Sequence, residues 1–166
     1  MKMDHSMTEP KEIIIMIVIM FIAGLLSSMN VWVDKISDMR FHLNDVYMSL
    51  LMSGWSLVLM GIYYINLNIF LFGIIFTCMM IYCIRNQIFI DERQYIKGMI
   101  PHHSMAVLMS KQLLEKDYFR EINLSRNIKI LAKHIINKQN DEIDFMKYIT
   151  NITNIKNVKE SDTQYV

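Results

Sequence analysis

The chain reads as an all-α protein: three transmembrane helices followed by an antiparallel helix pair, half of a four-helix bundle. Three observations carry this reading. Residues 13–33 and 46–84 contain no charged side chain, hydrophobic residues make up 53% of the 166-residue chain, and helical periodicity with polar punctuation governs everything after residue 85.

The first uncharged run, Ile13 to Val33, has the length of one span, because about 20 apolar residues cross a hydrocarbon core of about 30 Å. A secretory signal is the rival reading. The preceding segment MKMDHSMTEPKE carries three acids and no small-residue cleavage site follows a short apolar core, so an uncleaved anchor is expected. The second run holds two spans if the chain turns near Tyr63-Tyr64-Ile65-Asn66-Leu67-Asn68, its most polar point. The expected order is therefore an N-terminal segment 1–12, a membrane domain 13–84 with helices at about 13–33, 46–64 and 67–84, a helix pair 85–150, and a polar, mobile tail 151–166. Gly24, Gly54, Gly61 and Gly73 fall inside the spans, where small residues either allow close helix contact or are neutral. Cys78 and Cys83 share the third span but point about 140° apart, so they neither chelate together nor pair.

Basic residues orient the chain. Lys35, Arg40, Arg85, Arg93 and Lys97 fall on one side of a three-span topology and Lys2 and Lys11 on the other, which places the C-terminal domain on the cytosolic side. Formal charge is only +1, and the basic residues of the second half are spread among acids, so no nucleic-acid surface is indicated. No acid or base lies within the spans as bounded here, so no charged ion pathway is expected through them.

From Asp91 to about Lys116 the apolar pattern is helical, with Pro101 as a kink inside it. KDYFREINL links to a second helix, which Ser125 can cap and which is expected to end near Thr150. At 100° per residue, Asp91, Tyr95, Met99, His102, His103, Ala106 and Met109 share an arc of about 120°, with Met105 just outside. On the second helix Leu131, Ala132 and Ile135 define an apolar face that also carries Gln139, Glu142 and Met146, while His134 points elsewhere.

Imidazoles, thioethers and a carboxylate at the middle of such faces suit a soft cation. Cu(I) is favoured, and zinc or iron would lean on the His and carboxylate groups alone. The expected metal site is Met99, His102, His103, Met105, Met109, Glu142 and Met146, with the imidazoles as primary ligands, Glu142 orienting one of them and Met146 closing the site. The competing readings are a core filled by adaptable methionines, with a His102–Glu142 hydrogen bond that is purely structural. Met3, His5 and Met7, and the Met39-x-x-His42 spacing, are further candidate donors in a chain with 16 methionines.

The stretches DERQYIKGMIPHHSMAVLMS and LAKHIINKQNDEIDFM resemble the domain of unknown function 305, a ferritin-like helical family with a Met-x-x-His-His helix. The matching positions are Asp91, Met99, Pro101, His102, His103, Ala106, Leu131, Ala132, Ile135, Ile136, Gln139, Glu142, Ile143 and Met146. The segment FHLNDVYMSLLMSG is similar to the membrane-anchored branch of that family. The resemblance implies a ferritin-like helix pair with copper as the leading ligand, and no agreed enzymatic activity. Longer members carry the motif twice, whereas this chain carries it once. A homodimer would restore four helices, as 60 residues bury too little surface alone. Membrane lipid is the other expected partner.

Two alternatives accompany the copper reading. A structural membrane protein would use the helix pair for oligomerisation without metal. A ferritin-like metalloenzyme would need several carboxylates and Glu-x-x-His motifs, yet Phe145 stands three residues after Glu142 and Met99 three before His102.

Overall fold

A computed structural model describes the backbone of residues 10–116 and 122–163, and the side chains of 10–116 and 126–151. Met3, His5 and Met7 lie outside the described residues. The described chain is helical: α1 (Pro10–Leu26), two short 3-10 turns at Met29–Trp32 and Ile36–Asp38, α2 (Leu43–Tyr63), α3 (Leu67–Arg85), α4 (Glu92–Glu115) and α5 (Ile122–Thr163). It divides into two compact units. One holds the chain up to Val31 together with His42–Ile90, and the other holds Trp32–Phe41 and the chain from Asp91 onward.

In the first unit α2 packs against both α1 and α3. Three helical stretches are long and apolar enough to cross a membrane: Pro10–Trp32, Leu43–Tyr63 and Leu67–Arg85. The chain is in this sense a multi-pass membrane protein. α1 buries none of its side chains, and Ile14, Ile15, Val18, Ile19 and Ile22 form an exposed apolar surface suited to lipid. α2 is the central helix and buries Leu57, Val58 and Met60 alongside Ser49, Ser53 and Thr77 of α3. Ser49 and Ser53 donate to the carbonyls one turn back, Asp45 and Ser49, so their hydroxyls are satisfied within the helix.

Small residues set the helix separations. A Cβ at Gly24 would lie 2.8 Å from Ser49 Cα, at Gly61 2.5 Å from the Phe70 backbone, and at Gly73 2.7 Å from Val58 N. The α2–α3 turn falls where the polar sequence puts it. Asn66 caps α3 by accepting from the Asn68 and Ile69 N–H groups at 3.1 and 3.2 Å. Ile65 before it takes φ 52°, a left-handed conformation that a β-branched residue adopts at a cost.

The second helix begins at Leu43, three residues before the expected boundary, and this brings Asp45 into its first turn. The span is therefore not free of charge: Asp45 is buried. A boundary drawn from the uncharged run alone stops at the first carboxylate, whereas the backbone continues helical through it.

In the second unit α4 and α5 pack together. Asp91 caps α4, its carboxylate accepting from Gln94 N–H at 2.7 Å, and is thereby committed outside any helix seam. α4 stays helical on both sides of Pro101. α5 is longer at both ends than the sequence suggested, starting before Ser125 and continuing past Thr150 to Thr163. No glycine or proline follows Pro101, so nothing in the composition stops the helix early.

The core of the pair is Ile100, Val107 and Ile143, with Ile96, Ile136 and Met146 packed against it. Pro101, Ser104, Ser110 and Ala132 are also buried. This seam is rotated by about 100° on α4 from the arc marked by Met99, His102 and Met109. Tyr95, Met109 and Leu131 are exposed. The rotation has a chemical cause in Ser104. Its hydroxyl accepts from the Asp34 N–H at 2.8 Å and donates to Asp38 at 2.7 Å, so a polar residue sits fully buried without loss.

The segment Trp32–Phe41 completes this unit. Buried Asp38 also receives the Lys147 ammonium of α5, and Lys111 of α4 pairs with Asp34 at 2.6 Å. Burial alone would raise the Asp38 pKa; Lys147 and Ser104, donating to its oxygens, with Lys35 nearby, outweigh it and hold the carboxyl below its ordinary value.

Candidate functional site

The Met-x-x-His-His segment occupies the middle of α4, which is helical on both sides of Pro101. Helical spacing puts Met99 one turn before both histidines, Met105 one turn after His102, and Met109 one turn after Met105. The structure brings the two imidazoles together, with ring centroids 5.9 Å apart and planes inclined by 57°. His103 is the more enclosed, with 13% of its side chain accessible, and its Nδ1 lies 3.2 Å from Glu142 Oε2 of α5.

That approach is close but not aligned as a hydrogen bond, so Nδ1 is shut from solvent without a proper partner. The pairing involves His103, not the His102 that the sequence reading offered to Glu142. Burial lowers the His103 pKa; Glu142 opposes this and His102 adds to it. The net shift favours the neutral ring, the form that coordinates metals.

The remaining candidates are placed unevenly. His102 and Met109 are exposed, Met99 and Met105 half-buried, and Glu142 exposed at the edge of the pair. Met146 packs into the apolar core of the unit. His134 is exposed and apart from this group, as expected. Met39 is exposed, whereas His42 is buried and meets Asp45, so the Met39-x-x-His42 spacing does not describe the surroundings of His42.

Among the described residues no three His, Cys, Asp or Glu side chains are grouped closely enough to hold a metal ion. Any cation held here would depend on thioether sulfur beside one or two imidazoles. That donor set suits a soft monovalent ion far better than zinc or iron, which favour nitrogen, thiolate and carboxylate ligands.

The sequence reading missed Asp34, Asp38, Lys111 and Lys147. The two acids of VDKISD, lying between uncharged runs, were the available signal, but which helix they reach is not a local property.

Fold and site together define a helical protein with three helices long and apolar enough to span a membrane and a His-His helix pair. Residues 90–161 match the family described as "Domain of unknown function (DUF305)", and the chain belongs to that family. It is 43% identical over 155 residues to "Uncharacterized protein L153" of Acanthamoeba polyphaga mimivirus, covering 89% of this chain and 93% of that one. No solved structure matches the chain.

Proposed function

We propose that the α4–α5 pair is a membrane-anchored copper-binding module that handles, senses or sequesters Cu(I). The observation that supports it is the enclosed His103 imidazole, beside Glu142 and 5.9 Å from the His102 ring, on a helix turn bearing methionines. His102 and His103 supply nitrogen. Met99, Met105 and Met109 supply sulfur on flexible arms. Glu142 orients His103 and becomes a ligand if the ion is oxidised, and Met146 closes the inner side.

In this reading the module faces the cytosol, in accord with the basic residues flanking the spans. Two chains pair their hairpins about a two-fold axis, with copper shared between them. A second reading, assembly without metal, is favoured by the exposed Ile130, Leu131, Phe145 and Tyr148 of α5, each at least 55% accessible.

Full-length protein in detergent separates the two. The double variant His102→Ala, His103→Ala should retain fewer Cu(I) ions per chain than wild type against a chromophoric Cu(I) chelator, while His134→Ala changes little. Equal loss in both variants indicates general surface binding, and no loss in either removes the metal reading.

A further inference from the structure

The first unit contains a polar group that the copper module does not use. His42, immediately before α2, is 1% exposed, and both ring nitrogens lack a hydrogen-bond partner. A buried imidazole left with neither donor nor acceptor satisfied is costly, so such a ring needs a reason to be there.

Its surroundings supply one. Nε2 lies 3.4 Å from Asp45 Oδ1, one turn into α2, and Asp45 is itself only 4% exposed. The second carboxylate oxygen accepts from Asn30 Nδ2 at 3.2 Å, which fixes the carboxylate in place. His42 and Asp45 line a cavity of about 610 Å³ whose wall also includes Met29, Met48, Met52 and Trp55, and no lysine or arginine. Asp45, Met48, Met52 and Trp55 fall on one face of α2 by their helical spacing.

The chemistry of this wall is selective. A buried carboxylate with no basic side chain in the lining calls for a cation. One imidazole, one carboxylate and three thioethers do not make the nitrogen, thiolate or multi-carboxylate set that zinc, iron or calcium prefer. They match a soft monovalent ion. Met48 and Met52 are exposed, so their side chains keep the freedom to close on an ion.

We infer that the cavity beside the start of α2 is a second Cu(I) site, with His42 and the thioethers of Met29, Met48 and Met52 as ligands. Asp45 acts on the ion through its charge and on His42 through orientation, held by Asn30. The site does not depend on the helix-pair reading, since it is built wholly from the first unit.

The test uses full-length protein in detergent, loaded with Cu(I) and washed with a competing chelator. In the His102→Ala, His103→Ala background about one Cu(I) per chain should remain, and adding His42→Ala should remove it. Because His42→Ala could disturb the fold, Met48→Leu with Met52→Leu serves as the second variant. It keeps the apolar volume, should leave helical content unchanged by circular dichroism, and should lower retained copper at least tenfold. Copper X-ray absorption of the His102→Ala, His103→Ala protein should show sulfur neighbours that diminish with those two leucines. Met79→Leu, at an exposed methionine outside the cavity, should have no effect.

Copper retained equally in the His42 and Met48/Met52 variants overturns the site, as does zinc taken up in preference to Cu(I). No copper in the His102→Ala, His103→Ala background also overturns it, and leaves the helix-pair reading standing. Wild-type binding abolished by Met48→Leu with Met52→Leu alone, with helical content unchanged, has the opposite meaning: this site stands and the helix-pair site fails.

Discussion

Asp38 is the residue on which the second unit is most exposed to a single change. Its carboxylate is buried and satisfied by Ser104 and Lys147, partners drawn from both α4 and α5. Asp38→Ala leaves a buried hydroxyl and an ammonium without their acceptor and should cost about 3 kcal/mol. The pH dependence has a definite sign. The folded pKa is below the unfolded one, so the contribution is complete above about pH 4 and is lost as pH falls through the lower folded value. Asp38→Asn should lower thermal stability at pH 7 and flatten its loss below pH 4. An identical acid-unfolding curve for Asp38→Asn and wild type would show that the carboxylate is not linked to folding.

At the scale of elements, the glycines of α2 and α3 decide how closely the spans approach. Gly61 and Gly73 face backbone, which cannot move aside, whereas a Cβ at Gly54 meets mainly the Thr77 hydroxyl at 2.6 Å. Gly61→Ala should therefore cost about 1–3 kcal/mol through overpacking. Gly54→Ala costs less, because the Thr77 side chain can rotate away. Thermal denaturation in detergent, followed by near-ultraviolet circular dichroism, ranks the two. Equal midpoints would mean that the α2–α3 contact is looser than its geometry. α4 and α5 meet differently, through interleaved aliphatic side chains, so their pairing depends on Ile100, Val107 and Ile143 rather than on close backbone approach.

At the scale of the whole molecule, the outer faces of the helix pair require a cover. Tyr95 and Met109 of α4 and Leu131, Phe145 and Tyr148 of α5 are each at least 55% exposed, more large apolar surface than a two-helix unit leaves to water without consequence. A second copy is the proposed cover. In protein whose Cys78 and Cys83 are replaced by alanine, Met109→Cys should cross-link to its twin under mild oxidation, and light scattering should report a dimer after correction for detergent. A monomer that still binds copper stoichiometrically would reject a site shared between chains.

The sequence by itself determined the all-α class, three stretches able to span a membrane, the α2–α3 turn, and family membership through the Met-x-x-His-His helix. These are local properties: apolar length, charge spacing and capping chemistry act within a few turns of backbone. Tertiary structure decided which face of α4 is buried, because Ser104 and Ser110 enter the seam while Tyr95 and Met109 do not, against their ordinary hydropathy. Ser104 is sheltered by Asp34 and Asp38, about 70 residues away in sequence, and no periodicity within α4 contains that information. The same holds for His42 and Asp45, whose burial rests on the packing of α2 in the first unit, and for His103, whose carboxylate neighbour comes from α5. Polar burial is fixed by partners rather than by residue type, and only the folded chain brings the partners together.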